Sequence, residues 1–265
     1  MRPAILPDSK ESMHEEIDNL AILRSLQESL IQATAPNRKS AFVGSFVAMI
    51  NPIEPLIYFN YAVPVVSPCR SELVSLILHF RTHDRSPRFE FFPELWPDLE
   101  AMLLKEGFEL EMRIPVMVLS RLELNPREDS TVKDISTAVE LLDSSRCSAL
   151  AFGAEMEPSE AQIESNVQSI QSGQSRCAAV WVDGQVVSNG WTIGGGPICE
   201  LAGVGTHPEH RKKGLASSVS SYLCRKRFEN GGEHVWLSAG TPEAEAVYSK
   251  LGFRKIGEQV NYCLS

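Results

Sequence analysis

"VGTHPEHRKKGLASS", residues 204–218, is the stretch on which the reading of the fold turns. It places three consecutive cations, Arg211, Lys212 and Lys213, directly before what reads as the first turn of a helix. A helix N-terminus carries roughly half a positive charge, so a cation there costs about 0.3–1 kcal/mol. The arrangement therefore asks for an anion to offset it. Gly214 and the small Ala216 would let backbone amides come close to such an anion, as glycines do where a chain turns tightly around phosphate. A solvated basic turn ahead of a helix would use the same residues, so the surrounding sequence has to decide.

The chain has 265 residues, enough for one large or two ordinary domains, and its 43% hydrophobic content supports well-formed cores. No apolar run approaches the ~20 residues needed to span a bilayer, and the opening "MRPAILPDSKESMHEE" turns polar too early for a signal peptide. A soluble, cytoplasmic protein without a membrane partner is expected. The six cysteines, Cys69, Cys147, Cys177, Cys199, Cys224 and Cys263, form no CxxC pair, which fits reduced thiols with no assigned chemistry. A net charge of -9 argues against nucleic acid as a partner, because phosphate backbones are held by basic surfaces.

Of the 17 glycines, only Gly44 and Gly107 fall in the first 120 residues, so the two halves make different demands on the backbone. Between them "SRLELNPREDSTVKD", residues 120–134, is polar and without apolar periodicity. It reads as a linker, dividing the chain into domains 1–125 and 126–265. The halves share a pattern: "PDLEAMLLKEGF" (97–108) and "PEAEAVYSKLGF" (242–253) agree at Pro, Glu, Ala, Lys, Gly and Phe. Each follows a short strand-like run, "RFEFF" or "HVWLS", and precedes an extended apolar segment. Strand, helix closed by glycine, then strand is the common unit, and the chain reads as two copies of one fold.

In the second half the pattern predicts a strand at 131–135, helices at 136–152 and 158–173, and strands at 176–183, 185–194 and 198–206. A helix at 215–230, a strand at 233–238, a helix at 243–251 and a hairpin-like last segment follow. The Asp-Gly pair and the Gly-Gly-Gly-Pro run mark tight antiparallel connections. The expected fold class is α+β, with a mixed, mostly antiparallel sheet flanked by helices in each domain.

That order of elements, with Arg211-Lys212-Lys213-Gly214-Leu215-Ala216 after the fourth strand, resembles the GCN5-related N-acetyltransferase (GNAT) superfamily. The family's coenzyme motif is Gln or Arg-x-x-Gly-x-Gly or Ala, here with the common lead-in proline in "THPEHR". Its late segment Asn-x-x-Ala-x-x-Leu-Tyr-x-Lys-x-Gly-Phe is matched by Thr241, Ala244, Val247, Tyr248, Lys250, Gly252 and Phe253, with only the Asn lost. The resemblance covers residues 130–265 and, in degraded form, the first half. It implies acetyl-coenzyme A as co-substrate, no metal, and a small-molecule or peptide amine as acceptor. It also implies that the amides of 212–217, Ser217 included, hold the coenzyme's pyrophosphate, while Val204, Gly205 and Thr206 lie beside the pantetheine where Gly203 and Gly205 let the strand open.

For the chemistry, the resemblance points to Tyr248 as the acid that protonates the departing thiolate, with a buried structural tyrosine as the alternative. Glu200, eleven residues before Arg211, stands at the spacing of the family's general base and reads either as that base or as a carboxylate attracting a cationic acceptor. His207 and His210 form an HxxH without further ligands and read as loop residues. The first half departs from the pattern: Leu103 stands where Tyr248 does, and "VPVVSPCRSE" (63–72) has no glycine and loses an amide at Pro68. That half is expected not to bind the coenzyme. Besides an N-acetyltransferase, a non-catalytic acetyl-coenzyme A sensor or scaffold, or an enzyme using another acyl donor, fits these residues.

Overall fold

The protein's structure, a computed structural model, describes residues 9–34, 39–52, 57–127, 129, 131–153 and 157–265. Residues 1–8, where the argument against a signal peptide begins, and Glu128 and Ser130 of the polar connector lie outside the described residues.

The first half runs α1 (Ser9–Thr34), β1 (Lys39–Val43), β2 (Phe46–Ile50), β3 (Tyr61–Pro64), α2 (Arg70–Thr82), β4 (Arg88–Phe91), α3 (Leu99–Lys105) and β5 (Glu109–Ser120). The second half runs β6 (Val132–Ile135), α4 (Ala138–Phe152), α5 (Glu160–Gln171), β7 (Ser175–Val182), β8 (Gln185–Ile193) and β9 (Ile198–Thr206). It continues through α6 (Leu215–Glu229), β10 (His234–Ser238), α7 (Pro242–Leu251) and β11 (Arg254–Cys263). The fold is α+β, as the sequence leads one to expect. The last segment is one continuous strand, not a hairpin: apart from Lys255 it is buried or half-buried throughout, and Val260 to Cys263 pair in unbroken register with β4.

The helix starts follow from local chemistry. Thr137 accepts from the Glu140 amide while Glu140 reaches back to the Thr137 amide, and Ser159 with Gln162 does the same for α5. Thr241 caps α7 with Pro242 at the first position, and Gly252 ends it in the left-handed region at φ 105°.

Two compact units emerge, and they do not divide at residue 125. One contains the described residues within 1–28, 39–113 and 256–265, and the other those within 29–38 and 114–255. Each unit is completed by a strand from the other half of the sequence. In the first, β1, β2 and β3 are antiparallel, β3 runs parallel to β4, and β4 pairs antiparallel with β11 from Val260↔Phe91 to Cys263↔Arg88. In the second, β6 to β9 are antiparallel, β9 runs parallel to β10, and β10 pairs antiparallel with β5 from His234↔Ser120 to Ser238↔Val116.

The physical reason lies in "VMVL". Val116 to Leu119 are all at most 1% exposed, and Met117 and Leu119 enter the second unit's core with Val219, Leu223, Val235 and Phe253. Val260 and Tyr262 do the equivalent among Phe46, Phe89, Phe91 and Phe108 of the first unit. At about 25 cal/mol per Å² of apolar surface, a strand so buried cannot be left out of its core cheaply.

Candidate functional site

β9 and β10 pair only from Ile198↔His234 to Glu200↔Trp236, although β9 continues to Thr206 and β10 to Ser238. Beyond Glu200 that ladder stops and β10 continues its pairing with β5. On its other edge β9 carries a bulge: Ala202 opposes Trp191 and Gly205 opposes Asn189, so Gly203 and Val204 face the single Gly190. Gly203 adopts φ 59°, which favours glycine. The strand therefore opens where the sequence places its glycines, but the two act differently. A Cβ on Gly205 would lie 2.9 Å from the Ala151 Cβ, so Gly205 admits α4 against the strand and Gly203 alone shapes the bulge. Beside it the buried Asn189 donates its amide to Ser148 at 2.8 Å, while its Oδ1 has no partner among the described residues.

After β9 a 3-10 turn, Pro208–His210, is capped by the His207 ring, which accepts from the Glu209 amide. His210 packs edge-on against it at 5.8 Å. Among the described residues no group of three His, Cys, Asp or Glu side chains is placed to hold a metal ion. Lys212 is then forced to φ 61°, a left-handed conformation uncommon outside glycine, and Gly214 follows at φ 80°. The backbone thus winds tightly into α6.

Unlike α4, α5 and α7, α6 has no side-chain cap and no acid in its first turn. Ser218 bonds back to the Gly214 carbonyl, but no described residue takes up the amides of Leu215, Ala216 and Ser217. The positive end of this helix is bare. Of the three cations, Arg211 is committed: its guanidinium donates to the carbonyls of Thr206 and, at 2.8 Å, Ala151, bracing the end of α4. Lys212 and Lys213 are exposed.

The start of α2, the corresponding helix of the first half, is closed. Glu72 sits in its first turn and accepts from the Cys69 amide at 3.0 Å and the Ser45 hydroxyl at 2.9 Å. Those bonds, the Cys69 amide first, hold its carboxyl below the usual range. That helix end already has its anion.

Tyr248 projects from α7 onto the core that α6 covers, edge-on to Phe253 at 5.6 Å. Burial pushes its phenol up to about 12, with the Cys224 thiol adding to the shift. The neighbouring Ser220 hydroxyl opposes the shift but makes no hydrogen bond of normal geometry, so its effect is the smallest of the three. The phenol is therefore a proton carrier at neutral pH. Glu200 is half-buried on β9, next to Cys199 and Leu201, whose side chains enter the α6 core. Strand alternation turns Glu200 to the other face, at the last paired position before β9 and β10 part. Leu103, at the Tyr248 position of the first repeat, is wholly buried in an apolar core.

Of the residues singled out in the sequence, the structure collects Val204, Gly205 and Thr206 at the bulge. Val204 faces the room left by Gly190, and Thr206 meets the Ser188 hydroxyl at 2.9 Å. Lys212 to Ser217 gather at the open helix end, and Leu215 also packs on the core. Sequence reasoning missed Arg127 and Glu72. Glu72 leaves a signal, an acid in the first turn of a helix with no glycine ahead of it, whereas Arg127 sits in a stretch with no motif.

Residues 190–263 match the family model described as FR47-like protein. Comparison with curated proteins finds no match. Among solved structures the chain is similar to a GCN5-related N-acetyltransferase from Kribbella flavida, at 22% identity and a TM-score of 0.75, covering 91% of this chain and 95% of that one. It is similar to a putative GNAT-family acetyltransferase from Novosphingobium aromaticivorans, at 18% identity and TM-score 0.58, over 91% and 96% of the two chains. A tandem GNAT protein from the clavulanic acid biosynthesis pathway matches at 15% identity and TM-score 0.57, over 84% and 78%. The chain thus has the fold of the GCN5-related N-acetyltransferase superfamily, with an FR47-like segment in its second half.

Proposed function

We propose that the chain is an acetyl-coenzyme A dependent N-acetyltransferase with one working site, in the second half. The observation that carries this reading is the contrast between two equivalent helix starts. α6 offers unpaired amides and adjacent lysines to an anion, while α2 is filled by Glu72. Amides of residues 212–217 hold the pyrophosphate, and the bulged segment Val204 to Thr206 accompanies the pantetheine beside the opening between β9 and β10.

The coenzyme supplies an activated acetyl thioester. An alkyl ammonium, with a pKa near ~10, must lose a proton before its nitrogen attacks, and Glu200 at the mouth of the opening takes it. As the C–N bond forms and the C–S bond breaks, Tyr248 gives its proton to the leaving sulfur. The acceptor is an amine, small or on a peptide, and the place of action is the cytoplasm. Among the described residues no helix is long and apolar enough to cross a membrane.

The test is calorimetric titration of the whole chain with acetyl-coenzyme A, followed by a thiol-release assay over a panel of amines. One equivalent bound and amine-dependent thiol release are expected. Two equivalents, or none, would overturn the single-site reading, and binding without turnover on any amine would leave a sensor in place of an enzyme.

A further inference from the structure

The polar connector ahead of β6 does more than join two halves. Arg127 lies flat on the start of α6: its backbone amide donates to Ser221 Oγ at 2.8 Å and its Nε to Ser218 Oγ at 3.0 Å. Its guanidinium is so close to Gly214 that a Cβ there would lie 2.5 Å from Nη2 and 2.7 Å from Cζ. Gly214, Ser218 and Ser221 stand at i, i+4 and i+7, one stripe of α6, and Arg127 covers that stripe.

The placement is electrostatically odd. A guanidinium rests against the positive end of a helix whose first amides are bare, with Lys212 and Lys213 nearby. Among the described residues Arg127 makes no salt bridge, and Nη1 and Nη2 make no hydrogen bond, although the Asp129 carboxylate is near enough to feel its charge. Arg127 is also exposed, so ligand can reach it. Ser221 holds the Arg127 backbone and Ser218 its side chain, where an anion makes the placement favourable, and a guanidinium fork matches phosphate oxygens in a way that a lysine ammonium does not.

We propose that Arg127 is a coenzyme-binding residue, a connector-borne cation that contacts the pyrophosphate at the start of α6. This rests on the acetyltransferase reading above and adds to it a residue from outside the loop motif. It also assigns Gly214 a second role, leaving room for the arginine as well as shaping the turn.

The experiment compares the full-length wild type with R127A and R127K by calorimetry against three probes: coenzyme A, 3'-dephospho-coenzyme A and pantetheine. A charge-assisted contact predicts about a tenfold loss of affinity in R127A for both phosphate-bearing probes, about 1.4 kcal/mol. The salt dependence of binding should also flatten, with R127K intermediate and pantetheine binding unchanged. Wild-type affinity for coenzyme A in folded R127A would overturn the proposal while leaving the acetyltransferase reading intact. A loss confined to coenzyme A would place the contact at the 3'-phosphate instead. An equal loss for pantetheine would make Arg127 merely structural. Failure of the wild type to bind coenzyme A would remove the acetyltransferase reading and this proposal together.

Discussion

Replacing Ser217 with glutamate should make the protein more stable and disable the coenzyme site proposed for it. Ser217 occupies the third position of α6, as Glu72 does in α2, where the carboxylate accepts from the Cys69 amide and the Ser45 hydroxyl. A glutamate at 217 has the same reach toward the Gly214 amide and meets a helix end with neither cap nor acid. Arg127 beside it adds a favourable partner. Capping and the helix dipole together contribute about 0.5–1 kcal/mol, which for a chain of this size raises the melting midpoint by roughly 1–4 °C.

The same carboxylate would stand about 4 Å from a phosphate held by these amides, a repulsion of about 4 kcal/mol at an effective dielectric constant near 20, less once salt screens it. Affinity should fall about 10²- to 10³-fold. Differential scanning calorimetry of the free protein and isothermal titration with acetyl-coenzyme A read the two effects separately. A folded S217E variant that binds within about threefold of wild type would refute the assignment of α6 as the phosphate site. Gly214→Glu is a poorer probe, since its Cβ collides with Arg127 and its φ of 80° adds strain of about 1–2 kcal/mol.

The two repeat glycines should respond unequally to alanine. Gly252 has φ 105° and a Cβ there would collide with the Glu123 carbonyl oxygen, so G252A should cost about 3 kcal/mol or more from strain and overpacking. Gly107, whose Cβ would meet only Leu264 at 3.7 Å, should cost about 1–2 kcal/mol, and equal denaturation midpoints would contradict the geometry. Tyr248→Phe should lower turnover about 10²- to 10⁴-fold with little effect on coenzyme affinity; unchanged turnover in an assay limited by chemistry makes Tyr248 structural. Because the half-buried phenol is pushed from its ordinary value of ~10 up to about 12, it contributes stability that is complete below pH ~10 and lost as pH climbs toward 12. Denaturation midpoints followed over that window should fall more steeply in wild type than in Y248F. Glu200→Gln should depress kcat/KM most near neutral pH and least where the amine is already free; parallel profiles would leave Glu200 attracting the acceptor without taking its proton.

The sequence by itself determined the elements whose causes are local. Thr137 with Glu140, Ser159 with Gln162, and Thr241 with Pro242 announce helices within four residues of chain, and Gly203 and Gly214 mark positive φ where the strand bulges and the loop turns. The basic loop ahead of α6 was legible for the same reason, since its glycine and cations are consecutive. Tertiary structure decided what depends on residues far apart in the chain. The exchange of β5 and β11 between units cannot be read from either strand, because each shows only that it is apolar and not which core will cover it. Arg211, which the motif counts among the phosphate's cations, is spent on carbonyls at Thr206 and Ala151, and Gly205 serves α4 more than the strand. Arg127 looked like linker because charge and exposure carry no address: only folding brings it 87 residues along the chain to Gly214, where a missing side chain leaves room for it.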